Sequence, residues 1–379
     1  MTCETSIAAV GDISFAGRNA DSPSLNVLSG VIPVLKESNL VIGNLESPLV
    51  SCGDPAPGKC TLHGDPGWAE LMKDAGITLV GLANNHMMDY GDAGLFSTMR
   101  ALDSVGINYV GAGGDIEGAC APLFLDIKEK RLAFLARTSV IVTSPSYAGA
   151  KQAGVALLDI EETKQKLKMC KNQSDIVILL VHWGLENYSY PSPNQRQMAE
   201  ELIDAGADVI LGHHPHVLQG MEQISNGMVA YSLGNFLFDE FEWTLNGTEI
   251  GSKKILSPLS RQNREAIILN LTWNPNGSFK INPIFTRVDE EARVKIDLTP
   301  YRDTRFKSLN KKLYYPFYKC WWHIYSMKNE WHVRIKPRLS WGNTIRKIHK
   351  LRIRHIKEFF GTFQKSAKIA LGKTTNPYD

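Results

Sequence analysis

Five short segments of this chain contain side chains that can bind metals or transfer protons. They are Gly11-Asp12, Asn44-Leu45-Glu46, Asn84-Asn85-His86, His182-Trp183-Gly184 and Gly212-His213-His214-Pro215-His216. Carboxylates, amide oxygens and imidazoles, with no thiolate among them, suit Mn, Fe or Zn. Two such ions roughly 3.5–4 Å apart can hold the attacking and leaving oxygens of a hydrolysis. The segments therefore indicate a metal-dependent hydrolytic site.

The spacing of His214 and His216 adds a geometric expectation. Side chains two residues apart on a regular strand point to the same face of the sheet. We therefore expect both rings to face one metal cluster.

Each of the five segments follows an apolar run that predicts a buried strand. These runs are Ile7–Val10, Leu40–Ile42, Thr78–Leu82, Ile176–Val181 and Val209–Leu211, and Leu132–Ala136 predicts a further strand. Helices are predicted at Leu25–Lys36, Trp68–Asp74, Ala93–Ser104, Ile160–Lys171 and Gln195–Asp204. This alternation indicates an α/β fold with a largely parallel sheet, in which ligands bind at the carboxyl ends of strands.

The pattern changes after about residue 227. Strands are predicted at Met228–Tyr231, Glu265–Trp273 and Ser278–Thr286, and the turn Asn274–Gly277 would join the last two as a hairpin. Residues 239–263 are polar and predict a mobile loop.

The composition is that of a globular protein with a distinct C-terminal part. Of 379 residues, 43% are hydrophobic, enough for a packed core. The N-terminal residues lack the basic region of a secretory signal, so a cytoplasmic location is expected. Residues 301–379 contain 19 Lys and Arg against 4 Asp and Glu, and 15 of the 34 aromatic residues. We therefore predict a domain at 1–299 and a basic amphipathic extension at 300–379.

The extension has several possible partners. Residues 346–365 place apolar side chains near helical spacing opposite a basic face, as in helices that lie on membranes. A solvated extension, a membrane surface, an anionic polymer and a nucleic acid are the alternatives. We favour the membrane surface, at the inner membrane face, or the polymer. No recognised fold accompanies the charge to support specific nucleic-acid binding.

Six motifs in order resemble those of a known family. They are Asp12, Asn44-Leu45-Glu46, ANNHMMDYG at 83–91, VHWGLE at 181–186, GHHPHVLQG at 212–220 and YSLGNFLFD at 231–239. Over about residues 5–290 the chain resembles the bacterial capsule-synthesis CapA family. That family includes poly-γ-glutamate biosynthesis proteins and belongs to the calcineurin-like metallophosphoesterase superfamily.

The resemblance implies a four-layer α/β/β/α sandwich with two divalent metal ions, Mn, Fe or Zn. It assigns the first metal to Asp12 and His216, a bridge to Glu46, the second metal to Asn85, His182 and His214, and the general acid to His86. Capsule polymer biosynthesis is the implied function, with an anionic polymer or phosphoester as substrate. The capsule synthesis machinery is the implied partner.

Other residues have more open roles. Asp89 and Glu186 either orient ligating histidines or cap local structure, and Asn235 either lines the pocket or stabilises a turn. His213 is a candidate ligand by residue type, but the family pattern places it outside the ligating pair. The wider superfamily has a histidine two residues after the first aspartate, where this chain has Ser14. That difference favours the alternative function, a non-catalytic accessory factor for polymer synthesis or export that docks through the extension.

Overall fold

The computed structural model describes residues 4–140, 146–245, 253–273 and 279–331. The strands are β1 Thr5–Ile13, β2 Leu40–Leu45, β3 Leu79–Gly81, β4 Asn108–Val110, β5 Ala112–Gly113, β6 Leu123–Ile127, β7 Lys130–Thr138, β8 Gly154–Val155, β9 Ile176–His182, β10 Val209–His213, β11 Met221–Ile224, β12 Gly227–Ala230, β13 Asn235–Leu237, β14 Phe241–Leu245, β15 Lys253–Ser257, β16 Glu265–Trp273, β17 Phe279–Val288 and β18 Val294–Ile296. The α-helices are α1 Ile32–Leu35, α2 Trp68–Ala75, α3 Gly91–Val105, α4 Ile116–Cys120, α5 Ile160–Lys171, α6 Pro193–Asp204, α7 Pro300–Leu313 and α8 Tyr318–Glu330.

Two sheets form the centre of the protein. The larger has the order β18-β17-β16-β1-β2-β3-β4, with β13 also paired to β1. Strands β1 to β4 are parallel, and β16 to β18 extend the sheet in antiparallel fashion. The smaller sheet has the order β11-β12-β10-β9-β7-β6, and β7, β9, β10 and β12 are parallel. Parallel strands bring their carboxyl ends to one edge, which is where the site is built.

Alternation along β1 separates two apolar layers. Ala8 and Val10 pack in a cluster with residues of α2 and α3, whereas Ile7 and Ala9 pack in a cluster with residues of the smaller sheet. A third cluster joins the other face of the smaller sheet to α5 and α6. The order helix, sheet, sheet, helix confirms the four-layer α/β/β/α fold.

Two local predictions are wrong. The predicted helix Leu25–Lys36 is a 3-10 turn at Leu25–Val27 and the short helix α1. Pro33 has no amide hydrogen to donate and so starts a helix rather than continuing one. In the predicted loop 239–263, β14 and β15 form an antiparallel hairpin. The turn predicted at 274–277 lies outside the described residues.

The first part of the predicted extension packs on the body. Phe306 and Leu309 of α7 join the apolar cluster between the sheets, and Tyr318 and Trp322 of α8 join the outer cluster of the smaller sheet. The boundary after residue 299 stays a prediction, and the basic amphipathic stretch at 346–365 lies outside the described residues. In the described part of the chain, no helix has the length and hydropathy to span a membrane.

Candidate metal centre

Close backbone approach places the first aspartate of the site. Asp12 lies near the end of β1, in register with Asn44 of β2 and Asn235 of β13. A Cβ atom at Gly11 would lie 1.9 Å from the carbonyl oxygen of Gly234, so a side chain there would displace β13. The glycine beside Asp12 thus allows these strands to meet at the site.

Two carboxylates are buried at this point. Asp12 and Glu46 are both 0% exposed. Asp12 accepts hydrogen bonds from the Asn44 amide at 2.9 Å and from the backbone N–H of His214 at 3.2 Å. Neither Glu46 oxygen has a hydrogen-bond partner among the described residues. A buried carboxylate without a hydrogen bond is costly unless a cation lies nearby, so Glu46 fits a metal ligand.

His216 lies between the two carboxylates. Its Nε2 is 3.5 Å from Glu46 Oε1, and its Nδ1 is 3.7 Å from Asp12 Oδ2. Burial alone would lower the pKa of His216, but the charges of Glu46 and Asp12 raise this pKa to about 9. Burial, reinforced by the charge of Asp12, raises the pKa of Glu46 well above its usual value, although His216 opposes this. The raised pKa of His216 reflects the two carboxylates beside it, and negative charge of this kind suits cations.

A second group shares His216. The structure contains two groups of three candidate ligands, and in each group the ligand atoms lie within 4.8 Å of one another. One group is Glu186, His214 and His216, and the other is Asp12, Glu46 and His216. Ligands that bind one ion at about 2.2 Å lie no more than about 4.4 Å from one another, so both groups are compact enough to be candidate cation sites. His214 is fully buried, neither ring nitrogen has a hydrogen-bond partner in the described chain, and burial lowers its pKa to about 4. An uncharged imidazole is the form that binds metals.

Asn85 and His182 lie beside this group. His182 Nε2 is 2.7 Å from Asn85 Oδ1, and the His182 and His214 ring centroids are 4.8 Å apart. Burial lowers the pKa of His182 well below its usual value, and the neighbouring imidazoles lower it further. The structure therefore brings all six predicted metal ligands together, while their division between two ions stays a prediction.

His86 is held in place by Asp89, which is in turn paired with Lys59. The sequence analysis named only Asp89. Its Nδ1 is 2.8 Å from Asp89 Oδ2, and Lys59 forms an ion pair with the other Asp89 oxygen. Lys59 also donates to the backbone oxygen of Asn85 at 2.7 Å. Because an ionised carboxylate only accepts, Asp89 directs the opposite nitrogen of His86 inward, and that Nε2 lies 4.0 Å from Glu46 Oε1. No signal in the sequence linked Lys59, which precedes Cys60 in a Gly- and Pro-rich loop, to Asp89.

The strand geometry expected for His214 and His216 is wrong. Strand β10 ends at His213, and the next residues have left-handed backbone, with φ of 94° at His214 and 55° at His216. Their ring centroids are nevertheless 5.7 Å apart. The rings therefore converge through an irregular turn rather than through the pleat of a strand.

The remaining predicted residues surround the centre. Asn235 Oδ1 is 3.0 Å from His216 Nδ1, while the Asn235 amide donates to Asn263, so Asn235 orients that ring. The Nδ1 of His213 lies 3.3 Å from Asp12 Oδ1. Ser14 is buried, and its Oγ accepts a hydrogen bond from the backbone of Ala16.

Comparison with known proteins identifies the family. The sequence model of the family described as "Bacterial capsule synthesis protein PGA_cap" matches residues 6–240. The chain is 35% identical over 226 residues to the capsule biosynthesis protein CapA of Bacillus anthracis, covering 58% of this chain and 54% of that protein. It is 32% identical over 285 residues to the PGA biosynthesis protein CapA of Bacillus subtilis, covering 74% of this chain and 69% of that protein.

A solved structure shares weaker similarity. The NAD nucleotidase of Haemophilus influenzae is 17% identical, with a TM-score of 0.43, over 81% of this chain and 62% of that one. The matched residues 6–240 include every side chain of the metal centre described above. The chain therefore belongs to the bacterial capsule synthesis protein family PGA_cap.

Proposed function

We propose that this chain is a metal-dependent hydrolase of capsule polymer biosynthesis, with a centre for two divalent ions, Mn, Fe or Zn. Its substrate is a phosphoester or a bond within an anionic polymer such as poly-γ-glutamate. The observation that supports this most directly is Glu46. This carboxylate is fully buried, has no hydrogen-bond partner in the described chain and belongs with Asp12 and His216 to one of two groups of candidate ligands.

The ligand set explains why burial of these groups is tolerable. Isolated buried carboxylates are costly, and a cation that pairs with them removes much of that cost. Divalent ions would supply a water-derived nucleophile and stabilise negative charge in the transition state. The two groups in the structure share His216, so neighbouring ions are compatible with one compact centre.

The protein side of the reaction is proton transfer and orientation. His86 presents Nε2 toward the centre while Asp89 holds Nδ1. A histidine fixed in this way can protonate a leaving oxygen as a general acid. Lys59 in turn fixes Asp89, and Asn235 fixes the ring of His216.

Metal content tests the proposal. Purified protein loaded with Mn²⁺ or Zn²⁺ is expected to contain close to two ions by mass spectrometry, and the variant His214→Ala/His216→Ala fewer. The matched control is His323→Ala on α8, which should retain the parent content. A parent protein that binds no ion after loading would reject the hydrolase and favour the accessory factor. With two ions bound, phosphoesters and γ-glutamyl polymers are the substrates to screen.

We also propose that the C-terminal helices contact an anionic membrane surface. Phe317, Cys320, Ile324, Met327 and Trp331 follow one another at spacings of three and four and are all exposed, so they form a stripe along α8. Lys311, Lys319 and Lys328 are exposed on the same two helices. Apolar side chains flanked by lysines suit a bilayer interface with anionic lipids.

Charge favours this occupant over the alternatives. The chain after Trp331 is itself rich in Lys and Arg, so that segment does not offer charges that complement the lysines. A polymer of negative charge alone would leave the apolar stripe unused. Contact with the inner membrane face would place the protein beside the capsule synthesis machinery, its predicted partner.

Vesicle co-sedimentation tests the surface. Full-length protein is expected to sediment with vesicles containing phosphatidylglycerol and much less with phosphatidylcholine alone. The variant Phe317→Ser/Ile324→Ser/Met327→Ser should lose most of this binding. The control Ile116→Ser/Leu298→Ser also removes exposed apolar side chains, but away from α8, and should bind as the parent does. Equal binding by the α8 variant and the parent would reject the proposal.

A further inference from the structure

We propose that Glu186 is a direct metal ligand that acts together with His214 and His216. This inference rests on the metal-dependent function proposed above and deepens it. The sequence analysis placed Glu186 outside the ligands, as an orienting or capping residue. In the structure, its carboxylate lies within 4.8 Å of ligand nitrogens of both His214 and His216.

Tertiary contacts hold Glu186 at this place. The next residue, Asn187, donates its backbone N–H to the carbonyl of Pro215 at 2.8 Å. The side-chain amide of Asn263 donates to Asn187 Oδ1 at 2.8 Å and to the carbonyl of His216 at 2.9 Å. These bonds fasten the segment after β9 to the turn that carries both histidines.

The neighbouring histidine supplies the second observation. His214 is 0% exposed, and its two ring nitrogens have no hydrogen-bond partner among the described residues. Buried polar groups normally have partners, so such a ring fits a metal ligand. A cation at this place would give the His214 ring a partner, and the Glu186 carboxylate lies close enough to bind the same cation.

Ser14 adds no strong ligand beside Asp12. A histidine at this position would be a strong ligand, whereas the hydroxyl of Ser14 is a weak one and already accepts from Ala16. Glu186 would add an oxygen ligand to the group that contains His214 and His216. Asp12, Glu46 and Glu186 together would make the centre rich in carboxylate, and oxygen ligands favour Mn²⁺ relative to imidazole-rich sites.

Metal titration of the full chain tests the assignment. The variants are Glu186→Gln, which removes the charge at constant shape, Glu186→His, which offers an imidazole, and the control Glu200→Gln, an exposed carboxylate of α6. Stoichiometry is measured by mass spectrometry, and the dissociation constants for Mn²⁺ and Zn²⁺ by calorimetry. Far-UV circular dichroism shows whether each variant is folded.

The size of the effect separates a ligand from an orienting residue. Loss of an outer partner of a ligand weakens metal binding by about 10–100-fold, so Glu186→Gln should lose one ion or bind Mn²⁺ more than about 100-fold more weakly. Glu186→His should keep both ions and shift preference toward Zn²⁺. The control should match the parent.

Other results would overturn the assignment in distinguishable ways. Two ions in Glu186→Gln, with affinity reduced by less than about 100-fold, would make Glu186 an orienting residue or a bystander. That result would leave the hydrolase proposal intact. A parent protein without any ion would instead reject the proposed function itself. If Glu186→Gln does not fold, a Glu186→His variant with unchanged metal preference would overturn the assignment.

Discussion

Replacing Lys59 by Met should destabilise the protein through the buried carboxylate that it leaves behind. Lys59 is 6% exposed and forms an ion pair with Asp89, which is 0% exposed. Removal of one partner from a buried ion pair costs about 3–5 kcal/mol. Asp89 would keep its bonds with the backbone N–H of Leu62 at 2.6 Å and with His86 at 2.8 Å. We therefore expect the lower end, about 3 kcal/mol of unfolding free energy.

Urea unfolding of the metal-free protein, followed by tryptophan fluorescence, measures this change. A double-mutant cycle with Asp89→Asn isolates the interaction, since the double variant no longer buries an unpaired charge. The two substitutions should couple by about 1–3 kcal/mol. The control cycle, Lys164→Met with Glu161→Gln on α5, removes an exposed ion pair and should show no coupling. Additivity of the Lys59 and Asp89 substitutions within about 0.5 kcal/mol would refute the reasoning.

Three further predictions follow from packing and charge. Gly11→Ala should reduce the thermal midpoint of unfolding strongly, because the added Cβ would lie 1.9 Å from a carbonyl oxygen. The control Gly114→Ala, whose Cβ would have its nearest contact at 3.8 Å, should not reduce it. An equal effect of the two substitutions would contradict the packing argument. Trp322→Ala should reduce the free energy of unfolding in urea by about 3–5 kcal/mol, because this indole of α8 is 1% exposed. A reduction under about 1 kcal/mol would show that packing of α8 adds little to stability. Burial opposes ionisation of Asp239, but hydrogen bonds and charge from Arg18 lower the pKa of this carboxyl in the folded protein. Its contribution to stability is therefore present above about pH 4 and is lost as the pH falls through the lower folded-state pKa. Asp239→Asn should remove that part of the dependence of stability on acid.

Most regular elements near the site were predictable from local pattern. Strands β1, β2, β9 and β10 and helices α2, α3, α5 and α6 formed where apolar runs and amphipathic periods placed them. Within each sheet the position of the ligands was also predictable, because parallel strands end at a common edge, but only the packing of the two sheets brings the two sets of ligands together. The helix predicted at Leu25–Lys36 failed because an apolar period does not register that proline interrupts the hydrogen-bond ladder.

Contacts between distant segments were not predictable in this way. The left-handed turn at His214 and His216 departs from the strand that precedes it. Lys59 reaches Asp89 from a loop that has no helical or strand pattern, and Glu186 reaches the histidines because Asn263 joins two other segments. The hairpin of β14 and β15 is stabilised by pairing between its own strands within a polar sequence.

The amino-acid sequence by itself determined the α/β class and the identity of the candidate ligands, because residue type and short-range periodicity are local properties. The tertiary structure decided which of those side chains share a centre, which face one another and which support them from behind. Such relations depend on hydrogen bonds and burial between segments far apart in the chain. Glu46 shows the difference: its motif marked it as a ligand, but only the packed fold leaves it buried with no hydrogen-bond partner among the described residues.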